Sequence, residues 1–233
     1  MLGLPDTITA CLFDLDGVLT TTAAVHARAW KEMFDVFLRE RGEPPFELPR
    51  DYEQYVDGKP RLDGVRAFLA SRAIAADEEL VRRLGERKNE LVLTHLRTEG
   101  VTVYEGSVRY VEAARDAGLR RAVVSSSANA REVLRAGGIE HLFEAVVDGI
   151  VAARESLPGK PAPDTFIAGA RALGTTPPHA AVFEDALVGV EAGRRGGFGF
   201  VIGVDRSGQA EALKARGADI VVSDLDELLE EEP

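Results

Sequence analysis

From Arg120 onward the chain alternates short apolar runs with amphipathic stretches that end in glycine, and few architectures accept that rhythm. The runs Arg121–Ser125, Ala145–Asp148, Ala180–Phe183, Phe200–Val204 and Asp219–Val222 have the length and β-branched content of buried strands. Between them, Ala117-Gly118, Gly137-Gly138, Leu173-Gly174, Gly196-Gly197 and Arg216-Gly217 supply the glycine stop common just past a helix. Strand–helix–strand repetition calls for parallel strands with right-handed crossovers. The expected fold is therefore α/β, a doubly wound parallel sheet with a Rossmann-like core. The apolar run Thr9–Phe13 is assigned to the same sheet.

Residues 22–98 have another texture. Ala29, Trp30, Met33, Phe34, Phe37 and Leu38 recur at helical spacing, with Arg28, Lys31, Glu32 and Asp35 on the opposite face. Glu43–Pro49 is punctuated by proline, and helical patterns follow near Asp63–Arg72 and Glu78–Leu96. The expected organisation is a catalytic core of residues 1–21 and 99–233 with an inserted α-helical cap at 22–98. An insertion after the first strand overhangs the carboxyl ends of the strands, where such sheets bind ligands, so the cap reads as a lid.

The apolar fraction of 45% supports a sizeable core. A net charge of −11 argues against nucleic acid or anionic membranes as partners, and leaves an anionic substrate dependent on local cations or a metal. The single cysteine, Cys11, sits inside the first apolar run; no intrachain disulfide can form, which suits a reducing cytoplasm. The N-terminus lacks a basic region and carries Pro5 and Asp6, so no signal peptide is expected. The expected working unit is a monomer.

The first strand ends in Asp14-Leu15-Asp16-Gly17-Val18-Leu19-Thr20. Two carboxylates at a strand end attract a hard cation such as Mg²⁺, and one of them can attack a phosphoryl group. The chain carries its own control, because Asp224-Leu225-Asp226 repeats the tripeptide after the apolar run Ile220-Val221-Val222. There the following residues, Glu227, Leu228 and Leu229, read as a helix start, where acids complement the helix dipole. The Glu227–Glu232 run reads as a solvated helix end. Other strand ends carry Ser125-Ser126-Ser127-Ala128-Asn129 and Glu184-Asp185, and a loop carries Lys160 between Gly159 and Pro161. Taken singly, these are an ordinary serine cap, an aspartate cap and a solvated lysine. Taken together, parallel strands would bring them all to one rim.

At these residues the sequence resembles the haloacid dehalogenase-type phosphotransferase superfamily. Asp14-Leu15-Asp16-Gly17-Val18, Ser125, Lys160 and Glu184-Asp185 stand for its four motifs. Thr22-Ala23, His26-x-Arg28-Ala29-Trp30, the cap loop Gly58-Lys59-Pro60-Arg61 and Lys88-Asn89 resemble its β-phosphoglucomutase-like members. The resemblance implies a nucleophile at Asp14 and a general acid/base at Asp16, with Ser125 and Lys160 assisting the transferred phosphoryl group. It implies Mg²⁺ held by Asp14, Glu184, Asp185 and Asp16, the last through its backbone carbonyl. It implies a small phosphorylated sugar as substrate, contacted by Thr22, His26, Trp30, Arg61, Lys88, Ser127 and Asn129. One departure stands out: the family has a lysine where this chain has Ala128. Lys59 is a candidate replacement. The expected reaction is a sugar phosphomutase, with a sugar phosphatase as the alternative; His95, His141 and His179 are read as structural or surface residues.

Overall fold

The structure, a computed structural model, describes residues 2–229. Six strands form one parallel sheet: β1 (Ala10–Phe13), β2 (Arg120–Val124), β3 (Ala145–Val147), β4 (Ala180–Glu184), β5 (Phe200–Val204) and β6 (Ile220–Val222). Their order is β3-β2-β1-β4-β5-β6, as expected for a doubly wound sheet. The chain reverses its direction of winding between β1 and β4, and the crevice at that switch point is where such sheets bind ligands.

Nearly every strand residue is buried, because helices cover both faces. Alternate residues feed separate cores. Cys11, Phe13, Val123, Ala181, Phe183 and Ile202 join Tyr110, Val111 and Ala114 of α4 (Glu105–Asp116) and Val133 and Leu134 of α5 (Ala130–Ala136). Ala10, Leu12, Val124, Val182 and Val201 join Phe166 and Ala170 of α7 (Asp164–Ala172), Val190 of α8 (Leu187–Arg195) and Leu213 of α9 (Ala210–Arg216). A further short helix, α6 (Gly149–Arg154), follows β3.

The insertion contains α1 (Thr22–Arg39), a wide turn at Tyr52–Val56, α2 (Arg61–Ser71) and α3 (Glu78–Glu99). It has its own core, in which Phe34 lies 4.2 Å from Phe68 and 5.4 Å from Phe46 between ring centroids. The proline-rich segment is fixed to α1 through Phe46, whose N–H donates to Asp35 Oδ1 (2.9 Å) and whose carbonyl accepts from Lys31 Nζ (2.7 Å). Buried Asp51 accepts from Arg72 (2.8 Å) and from the Glu47 N–H (3.0 Å), closing the same segment onto α2. Lower on the two long helices, Ala29, Val92 and Leu96 belong to the body's core. The two connections run side by side, with Thr21 N–H on Thr102 O (3.0 Å) and Tyr104 N–H on Leu19 O (2.9 Å).

The second copy of the acidic tripeptide is structural. Asp224 and Glu227 form a reciprocal capping box on the turn Leu225–Leu228, Arg206 meets Asp224 at 3.2 Å and Arg109 pairs with Asp226. The rest of the acidic run expected as a helix end, from residue 230, lies outside the described residues. Among the described residues no helix is long and apolar enough to cross a membrane. Because the cap depends on one aromatic cluster, Phe68→Ala should lower its unfolding free energy by about 3–5 kcal/mol, read by urea titration. A loss under about 1 kcal/mol would show that the cluster does not hold the cap.

Candidate active site

The strand register sets the first contacts. Phe13 and Phe183 are paired across β1 and β4, so Asp14 and Glu184 emerge side by side at the carboxyl rim. Lys160, only 3% exposed, reaches between them. Its ammonium donates to Asp14 Oδ1, to Glu184 Oε1 (2.5 Å) and to the Val124 carbonyl (3.3 Å), and sits 4.8 Å from the centre of the Phe166 ring. Burial alone would lower the lysine's pKa, but Asp14 and Glu184 reverse that and leave it raised. Burial pushes both carboxyls up, and Lys160 opposes the rise. Glu184 is fully engaged, since its Oε2 accepts from the Ala186 N–H (2.8 Å).

Asp16 turns toward the cap. Gly17 makes this possible twice over: its φ of 91° is a left-handed conformation, and any Cβ there would overlap the Asp185 carboxylate. The Thr22 hydroxyl donates to Asp16 Oδ1, and His26 Nε2 stands 3.7 Å from the same oxygen. His26 Nδ1 lies 2.9 Å from Lys88 Nζ. Burial, Lys88 and Arg61 hold the imidazole pKa well below its usual range, so the ring is neutral and Nδ1 accepts from the lysine. Burial brings Lys88 down to about 7, with Asp16 opposing and Arg61 adding to the fall. The lysine also sits 4.8 Å from the centre of the Trp30 ring.

The loop after β2 is held by its own hydroxyls. Ser125 Oγ accepts from the Ser127 N–H (3.0 Å) and Ser127 Oγ from the Asn129 N–H (3.2 Å). Two bonds join this loop to the cap: Ser126 Oγ donates to the Gly58 carbonyl (2.7 Å) and Asn129 Nδ2 to Asn89 Oδ1 (3.0 Å). Between body and cap lies a cavity of about 410 Å³. Asp14, Asp16, His26, Trp30, Arg61, Lys88, Ser127, Asn129, Glu184 and Asp185 line it, while Ser125, Lys160 and Thr22 stand directly behind them. The single-residue alternatives fail here: Lys160 is buried, and neither Ser125 nor Asp185 caps a helix.

Tyr52 and Asp57 also line the cavity and were not picked out from the sequence. Burial drives the Asp57 carboxyl up, Tyr52 opposing and Glu184 adding to the rise. Asp57-Gly58 is a turn signature, and the wide turn at Tyr52–Val56 is a geometry frequent at functional sites. Neither signal has a periodicity that sequence reading can detect.

The four acids expected to hold a metal ion all line this cavity. Among the described residues no three His, Cys, Asp or Glu side chains form a ready cation cluster. Lys160 draws Asp14 and Glu184 toward itself, the Ala186 N–H takes the second Glu184 oxygen, and Thr22 draws the Asp16 carboxylate away. Asp14 and Asp185 remain as carboxylates on the cavity wall. Burial, Asp57, Glu184 and Asp14 push Asp185 well above the usual carboxylate range, with Lys160 opposing. Hard oxygen donors with excess negative charge fit a hard divalent cation.

The family of haloacid dehalogenase-like hydrolases matches residues 8–197. The chain is 52% identical over 247 aligned positions to a β-phosphoglucomutase of Mycobacterium tuberculosis, covering 98% of this chain and 94% of that protein. It is 34% identical to a β-phosphoglucomutase of Bacillus subtilis, covering 96% and 94%. A crystal structure of β-phosphoglucomutase from Clostridium difficile superposes with a TM-score of 0.80 at 26% identity, over 96% of this chain and 93% of that one.

The depressed lysine gives a signed pH test. Lys88 falls from an ordinary 10.5 to about 7 on folding. Between those values the unfolded chain binds more protons than the folded one, so stability rises with pH through that window. Lys88→Met removes this slope. The variant's Tm relative to wild type should therefore be most favourable below pH ~7 and decline toward pH ~10. A difference independent of pH would show that Lys88 titrates normally.

Proposed function

We propose, for a chain that belongs to the haloacid dehalogenase-like hydrolase family and to its β-phosphoglucomutase-like subfamily, the function of a sugar phosphomutase that works through an aspartyl phosphate on Asp14. The substrate class is a hexose 1-phosphate, isomerised through a bisphosphate. The observation that carries this reading is the grip of the cap on Asp16. Thr22 and His26 come from the first cap helix, so the acid/base group is tied to the part that closes over substrate. A hydrolase that uses water has no need of that link.

Asp14 is an anion at a strand end and attacks phosphorus in line, forming an Oδ–P bond as the P–O bond to the sugar breaks. Asp16 donates a proton to the departing sugar oxygen. With Asp14 phosphorylated in this way by a bisphosphate, the free hydroxyl of an incoming hexose 1-phosphate gives its proton to Asp16 and attacks the aspartyl phosphate, which frees Asp14 and forms a new bisphosphate whose 1-phosphoryl group Asp14 takes in turn. Lys160 keeps Asp14 and Glu184 from repelling the incoming anion. Glu184 acts by positioning Lys160. A magnesium ion held by Asp14, Asp185 and the backbone carbonyl of Asp16 would spread the charge of the phosphoryl oxygens. A cavity between body and cap would limit the access of water to the acyl phosphate, which supports transfer to a sugar over hydrolysis.

One observation favours a phosphatase instead: Ala128 leaves the loop after β2 without a side-chain cation for a second phosphate. Phosphorus NMR separates the two readings. With Mg²⁺, β-glucose 1-phosphate and a trace of glucose 1,6-bisphosphate, we expect glucose 6-phosphate to accumulate without free phosphate. Release of inorganic phosphate as the main product would establish hydrolysis.

Asp14→Asn should abolish transfer to either acceptor, and retained turnover would remove the nucleophile assignment. Asp16→Ala should cost about 10²–10⁴-fold in kcat for sugar phosphates, whose leaving oxygen needs the proton. An unchanged rate would show that another group carries that proton.

A further inference from the structure

We propose that Lys59 is the cap cation that, with Arg61, holds the non-transferring phosphate, so that the charge recognising this phosphate lies on the lid and not on the body. The inference rests on the phosphomutase reading and adds a specificity-determining residue to it. It starts from charge pairing. Four cations line the cavity: Lys59, Arg61, Arg66 and Lys88. Arg66 is paired with Asp63 (2.9 Å) and Glu78 (2.6 Å), and Lys88 is bonded to His26 and drawn by Asp16. Lys59 and Arg61 have no ion pair among the described residues, in a chain with a net charge of −11. Arg61 Nε is buried without a hydrogen-bond partner. Both side chains are partly desolvated, and the carboxylates that act on them, Asp63 on Lys59 and Glu86 on Arg61, stand beyond ion-pair distance. Cations withdrawn from water and left unpaired amid excess acid are matched by an anion that arrives.

The backbone holds Lys59 close to the loop Ser125–Asn129. Both of its neighbours rest on the body. Gly58 accepts from Ser126 Oγ (2.7 Å), and a Cβ at Gly58 would come within 2.9 Å of Ala186 and 2.7 Å of Val188. Pro60 lies against Gly159 so closely that a Cβ there would overlap its ring. Lys59 is therefore pinned at the seam between the loop Ser125–Asn129 and the loop that delivers Lys160. The Ser125–Asn129 loop offers hydroxyls, an amide and N–H groups but no charge. Charge-assisted hydrogen bonds to phosphate are roughly twice as strong as neutral ones, so a dianion on that loop gains most when the cap is docked. Binding of the second phosphate and closure become one event.

The test moves the charge. In Lys59→Ala, kcat/KM for β-glucose 1-phosphate with its bisphosphate activator should fall about tenfold to a hundredfold further than kcat/KM for phenyl phosphate, which carries only the reacting group. The loss should appear in KM more than in kcat. Lys59→Arg should restore most of it, and adding Ala128→Lys to Lys59→Ala should recover part by returning a cation to the body's loop. Equal losses on both substrates, or no loss on the sugar phosphate, would overturn the inference. Failure of the underlying reading has a different signature: wild-type protein would release free phosphate from the sugar phosphate, whatever the Lys59 ratio.

Discussion

The buried ammonium of Lys160 is the constraint on which the arrangement depends. Two carboxylates and one lysine, all nearly inaccessible, meet at the rim between β1 and β4. Removing charges from water is costly, and the attraction among them offsets that cost only when geometry is tight. Tight geometry needs rigid supports. The sheet supplies them, since the strands ending in Asp14 and Glu184 are neighbours in register and buried on both faces. Taking away the lysine would leave acids facing acids. Taking away either acid would loosen the lysine that the other depends on.

That constraint explains a division of labour between body and cap. The rim of the body is acidic: Asp14, Asp16, Glu184 and Asp185 converge there, and Lys160 is already committed. An anionic substrate gains little from such a surface alone. The cap brings Lys59, Arg61 and Lys88 to the same cavity, and its hydroxyl and imidazole groups to Asp16. Closure thus joins opposite charges that the fold keeps on separate parts. The paired connections near Thr21 and Thr102 carry the cap, while the base of α1 and α3 rests on the body's apolar core.

Much of this was legible because parallel strands impose a rule. Every strand end points to one edge, so Asp14, Ser125 and Glu184 had to converge once the alternation from Arg120 was recognised. Strand limits matched to within about a residue, as the apolar runs are short and sharply bounded. The metal shell was less legible. The four ligands came from the family resemblance, Asp16 through its backbone carbonyl, and hydrogen bonds from Lys160 and the Ala186 N–H already engage the side chains of Asp14 and Glu184. Sequence reports which oxygens are present and not which are already taken. Tyr52 and Asp57 were missed for a related reason: they sit on an irregular turn whose direction is set by the packing of the cap.

The two copies of the acidic tripeptide make the dependence on context concrete. Each follows an apolar strand and each carries the same three residues. After Asp16, Gly17 adopts a left-handed conformation and the chain turns sharply, with the Gly17 N–H on Thr20 O (2.8 Å) and the Thr20 N–H on Leu15 O (3.0 Å). That turn places Asp16 beneath the cap and leaves room for Asp185 against Gly17. After Asp226, Glu227 folds back to the Ser223 and Asp224 N–H groups, and the acids are consumed by capping and by Arg109 and Arg206. Identical carboxylates become reactive candidates in one place and structural ties in the other. The difference lies in whether the next residue lets the backbone turn the second acid into the crevice, so Gly17 determines the role of Asp16 as much as the aspartate does.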